Sequence, residues 1–103
     1  MADINVIISS MQGTKEVYES EKFHGPNATN VDPLSTELTA DQLSGADPIP
    51  FAKTFRKNSL TWLKNGVPME RTIEYTEASD RKSVTQVAAL EDDVKMEAKY
   101  VKN

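Results

Sequence analysis

Asn65 and Gly66 stand between two runs of strand-forming residues, and both tolerate the positive φ that a two-residue type I′ turn demands. They predict an antiparallel hairpin that pairs 60–64 with 67–75. Lys64 and Val67 then exchange hydrogen bonds, so the next pair, Leu63 with Pro68, needs no N–H from the proline. The outer side of that strand is left unpaired at Pro68, and a third strand has to join beyond it. In this register Trp62 faces Met69 and Leu60 faces Arg71, which brings the Arg71 guanidinium near the indole face, within reach of cation–π contact. Val67, Met69, Ile73 and Tyr75 alternate with Pro68, Glu70, Thr72 and Glu74, the period of a half-buried strand with Arg71 as the exception.

The flanking segments point the same way. Residues 3–9 (Asp-Ile-Asn-Val-Ile-Ile-Ser) are rich in β-branched side chains and run into Ser10 and Gly13, the pattern of a short strand. Residues 15–24 read as a second, exposed strand that ends at His24-Gly25-Pro26. Between 25 and 50 lie four of the five prolines, so extended loop is expected there, wrapping rather than packing. Within it Thr39-Ala40-Asp41-Gln42 matches a capping box, and Leu43 and Gly45 would close one or two helical turns. Toward the C-terminus, Val94, Met96, Ala98 and Tyr100 alternate strictly, although Val87, Leu90, Val94 and Val101 also fall at helical spacings. Two strands around Glu91-Asp92-Asp93 fit better than one helix because the alternation over 94–100 is unbroken. The fold class is therefore mainly β: a small antiparallel sheet, sandwich or partly open barrel with a Pro/Asn-rich N-terminal arm and at most one short helix near 40–44.

Length and composition bound the organisation. A chain of 103 residues suits one domain with one core, divided into an N-terminal strand at 1–13, an extended arm at 14–50 and a β-hairpin body at 51–103. Without cysteine, neither disulfides nor thiolate metal sites contribute. The longest apolar run is Val6-Ile7-Ile8, far too short for a membrane span, and the N-terminus lacks the basic and apolar regions of a signal peptide. The expected location is a virion if the chain is viral, otherwise the cytoplasm. Charge is polarised: residues 1–50 carry a net −6 and residues 51–103 a net +2. That division would let the acidic arm of one copy lie on the basic body of another, although solvated faces give the same pattern.

Chemistry needs an activated nucleophile, a positioned base or a metal, and the inventory is thin. His24, the one histidine, would need a carboxylate such as Asp32 or Glu21 beside it; next to Gly-Pro it reads as a loop residue. Glu91-Asp92-Asp93 lacks the spacing and glycine of a calcium loop, and Gly13, Gly25, Gly45 and Gly66 form no phosphate loop. No catalytic residue, cofactor, metal or small-molecule ligand is expected. One stretch interleaves aromatic and cationic residues: Phe51, Lys53, Phe55, Arg56, Lys57, Trp62, Lys64 and Arg71. On a sheet this could stack bases and neutralise phosphates; as a core it would bury Phe51, Phe55 and Trp62 and turn the cations outward. The acidic total argues against nucleic acid. The candidate interface is Phe55, Arg56, Lys57, Trp62, Lys64, Pro68 and Arg71.

Trp62 followed by Lys64-Asn65-Gly66-Val67-Pro68, and later Leu90-Glu91-Asp92, resembles the core-tryptophan strand and the tyrosine-corner approach of immunoglobulin-like domains. Val94, Met96 and Ala98 stand where that family has glycine, tyrosine and cysteine. The opening Met1-Ala2-Asp3-Ile4, the Pro/Asn-rich arm, and a hairpin from 71–75 returning through Arg81 to Val84-Thr85 resemble the small β-rich accessory proteins of tailed-phage virions. That resemblance implies a non-enzymatic decoration or tail protein that binds neighbouring protein subunits, with self-association open. The alternative is a nucleic-acid-binding module built on the basic and aromatic 51–71 segment.

Overall fold

The computed structural model describes residues 16–103. The strand expected at 3–9 lies outside the described residues. Within them the chain forms β1 (Tyr18–His24), β2 (Thr36–Glu37), a short helix α1 (Ala40–Ser44), β3 (Ile49–Pro50), β4 (Thr61–Lys64), β5 (Val67–Pro68), β6 (Tyr75–Glu77), β7 (Ser83–Gln86) and β8 (Lys95–Val101). The strands make two sheets, ordered β2-β1-β8-β4-β5 and β3-β7-β6. Their inner faces share one core, giving a mainly β, sandwich-like architecture.

β8 is the spine of the larger sheet. It pairs antiparallel with all seven residues of β1 on one side and with Thr61–Lys64 on the other. Its alternation is the one the sequence shows: Met96, Ala98 and Tyr100 are buried, while Lys95 and Lys99 face water. The segment that also read as a helix is thus β7, a turn through Glu91-Asp92-Asp93, and β8. Ala98 lies directly opposite Trp62, and both are fully buried. A small residue on the spine leaves room for the indole, the large-against-small fit that close packing requires.

The hairpin forms in the expected register, with Leu63 opposite Pro68 and Lys64 opposite Val67. Met69 then donates its N–H to the Trp62 carbonyl at 2.7 Å. Beyond that the prediction of one strand over 67–75 fails. β5 stops at Pro68, and the chain turns through 70–74, where Glu74 N–H bonds the Glu70 carbonyl and Thr72 takes φ +77°. The reason is topological: after β5 the chain must leave the larger sheet and enter the smaller one at β6. Val67 and Ile73, inward in a continuous strand, are 65% and 62% exposed. Arg71 accordingly sits away from the indole, donating to Asn58 Oδ1 at 2.9 Å and lying 3.8 Å from Glu77.

The 14–50 segment is an arm in composition, but its described residues, 16–50, pack as part of the fold. β1 is the second strand of the larger sheet, and Leu38, Leu43 and Ile49 are buried in the common core. The loop between them is fastened by backbone bonds from Gly25 to Val94, Asn27 to Asp92 and Leu38 to His24. Gly25 permits the first of these, because a Cβ there would stand 2.1 Å from the Asp92 carbonyl oxygen. α1 begins at the predicted capping box, with Thr39 Oγ1 accepting from Gln42 N–H and Gln42 Oε1 accepting from Thr39 N–H. Gly45 ends it in the left-handed region at φ +93°.

The core is an aromatic cluster. Phe51 sits 5.6–5.9 Å, centroid to centroid, from Phe23, Phe55, Trp62 and Tyr100, stacked on Tyr100 at 10°. Gln86, on the opposing sheet, is buried and accepts from Trp62 Nε1 at 2.5 Å while donating to the Ala88 carbonyl at 2.8 Å. Tyr100 donates its hydroxyl to the Glu21 carboxylate. Burial, with the Glu21 carboxylate beside it, pushes that phenol well above the usual tyrosine range.

Replacing Gln86 by Ala strands a buried indole N–H, and denaturant unfolding should show a loss of about 1–3 kcal/mol beyond the lost packing. Trp62→Phe in the same background should then cost less than it does alone, because the two side chains form one hydrogen-bonded unit.

Candidate functional site

The sequence placed seven residues at a candidate interface, and the fold separates them. Phe55 and Trp62 are fully enclosed, so neither offers a ring to a partner or a base. Arg56 reaches Glu16 at 2.6 Å, Lys64 reaches Glu91 at 2.9 Å, and Arg71 lies between Asn58 and Glu77. Lys57 and Pro68 are exposed, at a turn and on an edge strand. The two rings thus lie in the core, while Arg56, Lys64 and Arg71 face carboxylates. No stacking platform survives among them.

A different region forms a concave site. β1 ends at His24, β8 begins at Lys95, the loop 30–35 folds over one side, and the Asn65-Gly66 turn closes the other. Together they bound a cleft of about 610 Å³ lined by Lys22, His24, Asn30, Asp32, Asn65 and Lys95 among others. The hairpin turn is fixed to β8 in both directions. Asn65 N–H donates to the Lys95 carbonyl at 2.7 Å, and Lys95 N–H donates to Asn65 Oδ1 at 2.9 Å.

The 30–35 loop is held with equal care. Asp32 Oδ1 accepts from Leu34 N–H at 2.8 Å, an Asx turn, and its carbonyl accepts from Ser35 N–H at 2.9 Å. Its other carboxylate oxygen meets Lys22 Nζ at 3.3 Å. The Leu34 N–H and then the Lys22 ammonium hold the Asp32 carboxyl below the usual aspartate range. Lys95 Nζ crosses the cleft to the Asn30 carbonyl at 3.2 Å.

His24 is not the loop residue the sequence suggested but the last residue of β1, mostly buried. Its partners are also different: Nδ1 lies 2.8 Å from Ser35 Oγ, and Nε2 lies 4.0 Å from Glu37, not beside Asp32 or Glu21. Serine, histidine and glutamate in line invite comparison with a nucleophilic relay. Glu37 is largely open to water and beyond hydrogen-bond reach of the ring, so it does not orient the imidazole as the third member of such a relay must. The Ser35 contact closes the base of the loop instead.

What the sequence reading missed is the exposure of two apolar side chains on segments whose neighbouring residues line the cleft. Leu34, on the Asx turn, is 91% exposed, and Val67, just past the hairpin turn, is 65% exposed. The signal for the first was present in Asp32-Pro33-Leu34-Ser35, an Asx-turn sequence carrying a leucine at its outermost position.

The Asx turn is intact while Asp32 is ionised. Because its pKa is lowered in the fold, the turn persists above the usual carboxylate range and is released only as pH falls through the lowered value. The Leu34 amide proton shift, followed by NMR, should titrate with a midpoint below about 3.9, and Asp32→Asn should abolish the titration. No family model matches the chain, and no curated protein or solved structure is found to be similar to it.

Proposed function

We propose that the chain is a non-enzymatic assembly protein, a virion component of the decoration or tail type, which binds neighbouring protein subunits at the hairpin end of the sandwich. The observation that carries this reading is a pair of exposed apolar side chains, each next in sequence to a residue that lines the cleft: Leu34 beside Ser35 on the Asx turn, and Val67 beside Gly66 just past the hairpin turn pinned to β8. Pre-ordered apolar side chains lose little entropy when covered, and around them the cleft offers polar groups that can fix orientation. The phage-accessory resemblance of the sequence supplies the virion part of the reading. A nucleic-acid surface is the weaker alternative, since Phe55 and Trp62 lie in the core and Arg56, Lys64 and Arg71 already face carboxylates.

Particles purified from cells that make this chain should contain it. Leu34→Asp combined with Val67→Asp should lower its occupancy on them by at least about tenfold, the effect of losing a buried apolar anchor, with the fold unchanged by circular dichroism. Absence from the particles, together with a monomer at every concentration in sedimentation, overturns the reading.

A further inference from the structure

Asn65 has two roles at the hairpin turn. With Gly66 it adopts the positive φ values, +50° and +83°, that a type I′ turn requires. It also closes the pairing of β4 with β8. Lys64 lies opposite Met96, so Asn65 lies opposite Lys95, where a regular antiparallel pair exchanges two main-chain hydrogen bonds. The first of these is present, from Asn65 N–H to the Lys95 carbonyl at 2.7 Å. The return bond, from Lys95 N–H, goes at 2.9 Å to the side-chain oxygen Oδ1 of Asn65 in place of its main-chain carbonyl.

An asparagine that precedes glycine carries a reaction of its own. The Gly66 nitrogen attacks the side-chain carbon Cγ of Asn65, the Cγ–Nδ2 bond breaks, and the displaced amide leaves as ammonia with the proton that Gly66 gives up. Water then opens the resulting succinimide at one carbonyl to give aspartate, or at the other to give isoaspartate, whose main chain runs through Cγ. Glycine hinders the attacking nitrogen least, Asn65-Gly66 is the one such pair in the chain, and both residues are exposed. The folded turn opposes the attack. Reacting atoms must meet within about 3–3.5 Å and in line, and swinging Cγ onto the Gly66 nitrogen breaks the Oδ1 bond to Lys95. Ring closure also fixes ψ of residue 65 away from the value of a type I′ turn.

We propose that Asn65 is a deamidation site gated by the hairpin: its side-chain bond to Lys95 N–H protects it in the closed turn, and each opening of the turn exposes it to Gly66. The two products differ in consequence. Aspartate keeps an oxygen where Lys95 N–H needs one, so the turn closes again. Isoaspartate adds a backbone carbon between residues 65 and 66, so Leu63 and Pro68 no longer meet in register. Asn65 and Gly66 line the cleft, and that product removes one of its walls. Ammonia has left, so the asparagine does not return. This holds whatever the cleft binds.

Trypsin cleavage after Lys64 and Arg71 releases the 65–71 peptide, whose mass and isoaspartyl content report the conversion. In the full-length folded chain at neutral pH it should convert at least about tenfold more slowly than in the same chain unfolded in urea, because reaction waits on local opening. Urea below the unfolding transition should raise the rate in step with hydrogen exchange of the Lys95 amide. Asn65→Asp should keep the Met69 amide, which bonds the Trp62 carbonyl across the hairpin, protected from exchange. Chain aged to isoaspartate should lose that protection. Equal rates in folded and unfolded chain, conversion that does not follow Lys95 exchange, or an isoaspartyl chain with Met69 still protected overturns the proposal.

Discussion

The hydrogen bond from the Trp62 indole to Gln86 ties the two sheets together where a wholly apolar contact would leave them free to slide. Trp62 belongs to β4 of one sheet and Gln86 to β7 of the other. Both are buried, so breaking the bond leaves a polar group without water to replace its partner, and that penalty fixes one relative placement. Phe51 then fills the space between, touching four other rings, and the 51–55 link that carries it connects β3 of the smaller sheet to β4 of the larger. Aromatic side chains bury much surface per residue. With seven aromatics in the chain and five of them in this one cluster, a core of modest apolar content still closes.

The placement of the sheets makes their edges consequential. β2, β3 and β5 are two residues each, and β3 and β5 each contain a proline, Pro50 and Pro68, which has no N–H to offer a neighbour. Short, proline-bearing edges are a means of preventing unwanted strand pairing. Among the described residues β1 departs from this rule, its outer side unpaired over Tyr18 to Lys22. At the hairpin edge Pro68 has no N–H to offer a neighbour, and the side chain of Val67 faces solvent beside it.

The cleft shows how a surface can be specified by segments that sequence reading treats separately. Its walls come from 22–24, 30–35, 65–66 and 95–97, brought together because β8 pairs with β1 and β4 at once. The polarised charge of the two halves is partly spent inside the molecule, as when Glu16 meets Arg56, rather than being held for another copy. Ion pairs between distant segments leave no local pattern, which is why Arg56, Lys64 and Arg71 looked available in the sequence.

Local rules were enough wherever the determinant was local. The Asn65-Gly66 turn and its register, the Thr39 capping box with Gly45 after it, and the alternation of β8 follow from backbone conformational preference and side-chain period alone. What only the tertiary structure decided was where a strand ends and which side chains it hides. β5 stops at Pro68 because the chain must change sheets, His24 closes a strand because β2 pairs beside it, and Trp62 is buried because Ala98 leaves it room. Each of these depends on residues more than ten positions away, and a contact of that kind carries no periodicity that a single segment can reveal.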